Sequence, residues 1–108
     1  MEGRRQLDEY KKMLAEAIET DGIDFCLSCL EEECAELIVA IRHYYRGRVN
    51  MERVIEEMAD VYLMADMVRI GVDKEIGFYD IIKKKSDVVG KRIAFKRARN
   101  GNQEKNHE

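Results

Sequence analysis

Residues 30–41 read LEEECAELIVAI and residues 55–68 read IEEMADVYLMADMV. In both, apolar side chains recur at the three- and four-residue spacing of a helix. Working outward, the first stretch extends to a helix from Ile23 or Asp24 to Arg46. Its apolar stripe is Phe25, Cys26, Cys29, Leu30, Cys34, Leu37, Ile38, Ala40 and Ile41. Gly47 is suited to cap its end, and Arg42 and Arg46 complement the helix dipole. The second stretch extends from an Asn50 N-cap through Met51 to Ile70, and Gly71 is expected to end it. Its apolar residues cover a broad arc, which predicts burial on several sides. The short link from Gly47 to Asn50 makes the two helices an antiparallel hairpin.

Two further helices complete the pattern. Leu7, Tyr10, Met13 or Leu14, Ala17 and Ile18 give helical spacing over about 4–19, and Thr20-Asp21-Gly22 reads as a turn. Asp73 can cap a fourth helix from Lys74 to about Val89, or on past Gly90 to Arg97. The chain has 108 residues, 45% hydrophobic and 38% charged, with no proline and no tryptophan. That composition is too apolar for a disordered chain and too poor in turn residues for a sandwich or barrel. The fold class is therefore all-α, like a four-helix bundle, with one domain over 1–99. A disordered polar tail is expected over 100–108.

Charge is unevenly spread. Residues 1–82 carry 10 basic and 19 acidic side chains, net −9, whereas 83–99 carry eight basic and one acidic, net +7. No apolar run approaches the roughly 18 residues a membrane span needs. The segment MEGRRQLDEYKK lacks the apolar stretch of a signal peptide. Three cysteines, an odd number, read as free thiols in a reducing cytoplasm.

Four acids carry the chemistry. Glu33 and Glu36 are three residues apart, as are Glu57 and Asp60, so each pair shares a helix face. Each pair interrupts an apolar run, and both lie near mid-helix, so the hairpin can bring them face to face. Four half-buried carboxylates cannot all stay ionised without a counter-charge. A divalent cation resolves this, and oxygen-only ligands favour Mg²⁺ or Mn²⁺. A di-iron site is disfavoured, because His43 and His107 are not at Glu-x-x-His spacing. Either acid pair alone would read as a solvated helix surface; the combination is what points to a site.

Glu32, Glu33 and Glu36, a gap of 20 residues, then Glu57 and Asp60 resemble the signature of the MazG-like, all-α nucleoside triphosphate pyrophosphohydrolases. The resemblance covers about residues 23–70 well and is nearest to small stand-alone bacterial and phage members. It implies Mg²⁺-dependent hydrolysis of an NTP or dNTP to monophosphate and pyrophosphate, as housekeeping of nucleotide pools. It implies Glu33, Glu36, Glu57 and Asp60 as metal ligands and Glu32 as the acid that orients or deprotonates water. It also implies a homodimer or homotetramer, which the broad apolar arc of the third helix suggests independently. Phosphoribosyl-ATP hydrolysis is a related option on the same fold.

The basic segment has two readings. It is a solvated face that balances an acidic body, or it contacts phosphate. The family often uses basic residues after the second motif, which points to Lys84, Lys85 and Arg92. The chain departs from larger members in lacking their Lys-Tyr-Pro type C-terminal wording. A nucleic-acid-binding or silent helical interaction module is the alternative class. Phe95 is the one aromatic interleaved with the cations, which counts against nucleic acid. Tyr44 and Tyr45 are expected as one core and one rim contact, His43 as a surface residue. Cys26, Cys29, Cys34, Met58, Met64 and Met67 are expected as core filling.

Overall fold

Glycine and asparagine punctuate the chain where the pattern places its turns. The computed structural model describes residues 2–72 and 77–107, with side chains as far as Asn102. It holds α1 (Glu2–Asp21), α2 (Ile23–Tyr45), α3 (Met51–Val72) and α4 (Phe78–His107), and no strand among the described residues. Gly22 alone joins α1 to α2. Its φ of 85° lies where a side chain is strained, its N–H donates to Ile18 O at 2.8 Å, and its carbonyl accepts from Cys26 N at 3.2 Å. Gly47, at φ 71°, closes α2. Its N–H donates to Tyr44 O at 3.0 Å and that of Arg48 to His43 O at 2.9 Å, the bond pair of a Schellman motif. Asn50 Oδ1 then accepts from Arg53 N at 3.2 Å and caps α3.

The chain divides into two compact units, Met1–Lys74 and Glu75–Glu108. In the first unit α2 lies against α3 in opposite sense. Cys26 Sγ meets Met67 Sδ at 3.8 Å at one end, and Glu33 and Glu36 meet Glu57 in the middle. Ala40 and His43 share a groove with Arg53 near the turn. α1 runs in the same sense as α3. Tyr10 Oη donates to Asp66 Oδ2 at 3.0 Å, and eight residues later Ile18 reaches Gly71. Asp66 is held on its other oxygen by Arg69, 2.9 Å from Nε. Leu14, Cys26, Ala40 and Val54 form the buried apolar core. Three of these four are small, and helices approach as closely as the side chains between them allow.

Several expectations change. Gly71 does not end α3, which continues to Val72. It is a packing glycine: a Cβ there would lie 2.5 Å from Ile18 Cδ1 and 2.9 Å from its Cγ2. The broad apolar arc of α3 is not enclosed, because α1 and α2 cover only part of its circumference. Ile55, Met58, Tyr62 and Leu63 remain exposed, so Met58 is not core. Cys26 is fully buried, Cys29 half-buried and Cys34 exposed, and all three are free thiols. Tyr44 and Tyr45 are both exposed and meet edge to face at 5.8 Å, instead of dividing between core and rim.

In the second unit Gly77, at φ 74°, leads into α4, and its carbonyl accepts from Asp80 N at 3.0 Å. Asp73 and Lys74, expected at the start of this helix, lie outside the described residues. α4 passes through Gly90 and Gly101 to His107, so 100–107 is helical where a disordered tail was expected. Glycine inside a helix costs about 1 kcal/mol relative to alanine, which weakens a helix without stopping it as proline would. No described helix is long and apolar enough to cross a membrane.

Gly71→Ala should destabilise the protein by about 1–3 kcal/mol, the usual cost of overpacking. Thermal denaturation of Gly71→Ala, Ile18→Ala and the double variant reads this. The double variant should lose less than the two single losses combined, and simple additivity would show that the two residues do not compete for space.

Candidate metal centre

The hairpin places acids from two helices at one point. Glu33 and Glu36 stand one turn apart on α2, and Glu57 faces them from α3. One carboxylate oxygen of each lies within 4.8 Å of the others. Glu57 is 5% exposed and is the buried charged residue of the core. Arg53, one turn earlier on α3, reaches Glu57 Oε1 with a guanidinium nitrogen at 2.8 Å and Glu56 Oε2 at 3.4 Å. The remaining oxygen of Glu57, Oε2, is buried without a hydrogen-bond partner, and so is Oε2 of Glu33.

Orphaned acceptors are rare inside proteins, because each forgoes its bonds to water, and more is lost when the group is charged. The Glu33 carboxyl is accordingly raised above its ordinary value of 4.5. Burial is the main cause, followed by the charges of Glu36 and Asp60, a hydrogen bond with Glu36 and the charge of Glu57. Glu57 is buried and Glu33 half-buried, while Glu36 is exposed where a half-buried position was expected; like charges this close repel one another. Three converging carboxylates with two uncommitted oxygens are the donor set that a hard divalent cation takes. These residues fit such an ion, which Glu33, Glu36 and Glu57 would hold as direct ligands.

The other predicted residues lie outside this triad. Asp60 is exposed, and its charge reaches Glu33 from the rim. Glu32 is exposed and lines a groove of about 480 Å³ beside the acids. Glu36, Glu57, Val39, His43 and Arg53 line the same groove, so His43 is a half-buried wall residue instead of a surface one. Lys84, Lys85 and Arg92 are exposed on α4, in the second unit.

Sequence reasoning passed over Arg53, although its four-residue spacing to Glu57 is the signal for an ion pair on a helix. It also passed over the part-buried Tyr10–Asp66–Arg69 chain. The Asp66–Arg69 half was visible at three-residue spacing; the Tyr10 half, 56 residues away, was not. No protein-family model, curated protein or solved structure matches the chain.

The raised Glu33 carboxyl has a stability consequence. A folded-state pKa above the unfolded value favours the fold fully below the unfolded pKa, and that contribution fades as pH rises through the folded value. With EDTA present, the melting temperature should therefore fall as pH rises from about 4.5 through the raised value. Glu33→Gln should flatten this part of the profile, and melting curves between pH 4.5 and 8 check it. Identical slopes in both proteins would mean that Glu33 is not strained.

Proposed function

We propose that this chain is a Mg²⁺- or Mn²⁺-dependent nucleoside triphosphate pyrophosphohydrolase, a hydrolase that converts an NTP or dNTP of the cytoplasmic pool to monophosphate and pyrophosphate. The observation that carries the reading is the carboxylate triad of Glu33, Glu36 and Glu57, with two buried, unpartnered oxygens, opening on the groove that Glu32 lines. A helix bundle that needed only stability would not hold these acids together, since apolar residues of similar volume would serve it as well or better.

Each acid has a place in the reaction. Glu33, Glu36 and Glu57 would hold the cation, and Asp60 would complete the set from the rim. When bound, the cation would supply charge neutralisation at the phosphates and an acidified water. Glu32 is exposed at the groove wall, where it receives the proton of the water that attacks the α-phosphorus. The bond from the α-phosphorus to the bridging oxygen breaks, and pyrophosphate leaves with its electron pair. An acidic body repels a polyanionic nucleotide, so turnover depends wholly on the cation.

The active form in this reading is a homodimer or homotetramer. Supporting it, Ile55, Met58, Tyr62 and Leu63 form an exposed apolar face on α3, and Tyr10 of α1 shares their groove of about 450 Å³. Contiguous exposed apolar surface of this kind marks an interaction face.

Incubating the protein with each NTP and dNTP, with Mg²⁺ or with EDTA, tests the reading. Monophosphate and pyrophosphate should form only with the metal. Glu36→Gln and Asp60→Asn should lower kcat by about 100-fold or more, because charge stabilisation by a bound metal is worth several kcal/mol. No turnover of any nucleotide, together with a melting temperature indifferent to Mg²⁺, would sink the proposal.

A further inference from the structure

We infer that Arg53 is a positioning residue of the metal centre: by gripping one oxygen of Glu57 it presents the other to the cation. The inference rests on the reading of Glu33, Glu36 and Glu57 as a cation site. The Glu57 side chain is 7% exposed, and its Oε2 is buried without a partner. The two oxygens of this carboxylate therefore have different fates. Oε1 is fixed by the Arg53 guanidinium at 2.8 Å, and Oε2 is left over. A carboxylate rotates about its last bond, so fixing one oxygen fixes the direction of the other. Ligating carboxylates are commonly held in this way by an outer hydrogen bond, which fixes their orientation.

Arg53 suits the task for three reasons. It lies four residues before Glu57 on α3, the spacing that brings two side chains together on a helix. A second nitrogen of its planar fork reaches Glu56 Oε2 at 3.4 Å, so the guanidinium is anchored at both edges instead of swinging on a single contact. It also lines the groove of about 480 Å³ together with Glu32, Glu36, His43 and Glu57. Among those lining residues it is the one permanent cation, so the group that orients the ligand is also exposed to whatever anion enters the groove.

The sign of the effect separates positioning from simple charge. Arg53 brings a positive charge close to a cation site, so on charge alone its removal would tighten cation binding. On positioning, its removal loosens Glu57 and weakens binding, and outer partners of metal ligands are typically worth 10–100-fold in affinity. The two accounts predict opposite directions.

The test is titration of the whole chain with Mn²⁺, followed by electron paramagnetic resonance of the free ion, for the wild type, Arg53→Ala and Arg53→Lys. Melting curves in EDTA confirm that each protein is folded at the titration temperature. The expected result is an affinity about 10–100-fold weaker in Arg53→Ala, partly restored in Arg53→Lys, which keeps one donor for Oε1 but not the fork. If Arg53→Ala does not fold, Arg53→Lys decides, with a loss of several-fold expected. Equal or tighter binding by the folded variants overturns the inference while leaving the cation site standing. A wild type that binds no Mn²⁺ overturns the site and this inference together.

Discussion

The contact between α2 and α3 is the constraint on which the rest of this protein depends. It buries Cys26, Ala40 and Val54, and in the same interface it buries Glu57 against Glu33 and Glu36. Packing and repulsion therefore act across one surface. Small side chains draw the helices together, and that approach brings three carboxylates within 4.8 Å of one another. One guanidinium, that of Arg53, offsets part of the repulsion, but it satisfies one oxygen of Glu57 and leaves the other bare. An interface built this way is less stable than an apolar one of similar volume.

The remaining elements of the first unit keep that contact in register. The Schellman closure at Gly47 and the Asn50 cap fix where α2 stops and α3 starts, so the hairpin has little freedom to slide. At the other end Cys26 meets Met67. α1 is tied to the far side of α3 by Tyr10 on Asp66 and by Ile18 on Gly71, and so leaves the carboxylate face of α3 to α2. A side chain at Gly71 would push α1 outward while leaving the acids untouched, which separates the support of the fold from its chemistry.

A core of four buried apolar residues is small, and many large apolar side chains of the first unit remain exposed. Surface-to-volume scaling makes this ordinary for a chain of such length, and it is the reason small helical chains gain from association. The second unit has a different character. As far as Asn102, α4 carries its cations and its apolar residues, among them Ile81, Val88 and Phe95, exposed. Its unbroken course to His107 shows that a polar stretch without proline can extend a helix that has already been nucleated, because each added residue then gains a hydrogen bond without repeating that initial cost.

The sequence by itself determined the four helices, the turns at Gly22 and Gly47 and the acid pairs. These rest on local physics: the 3.6-residue period, the left-handed backbone that glycine tolerates at 22 and 47, and the donor that Asn50 satisfies. Spacing alone also placed Glu33 with Glu36, and Glu57 with Asp60, on common faces. What only the tertiary structure decided is which of those acids is buried. The rotation of α3 about its axis against α2 puts Glu57 inside, at 5% exposure, and leaves Asp60 at the rim. Periodicity does not fix that rotation when apolar residues cover so wide an arc, since several faces would pack equally well. The same rotation turns Met58 to solvent and sets Gly71 against Ile18 of α1. Each of these depends on a neighbouring helix whose distance in sequence carries no local signal.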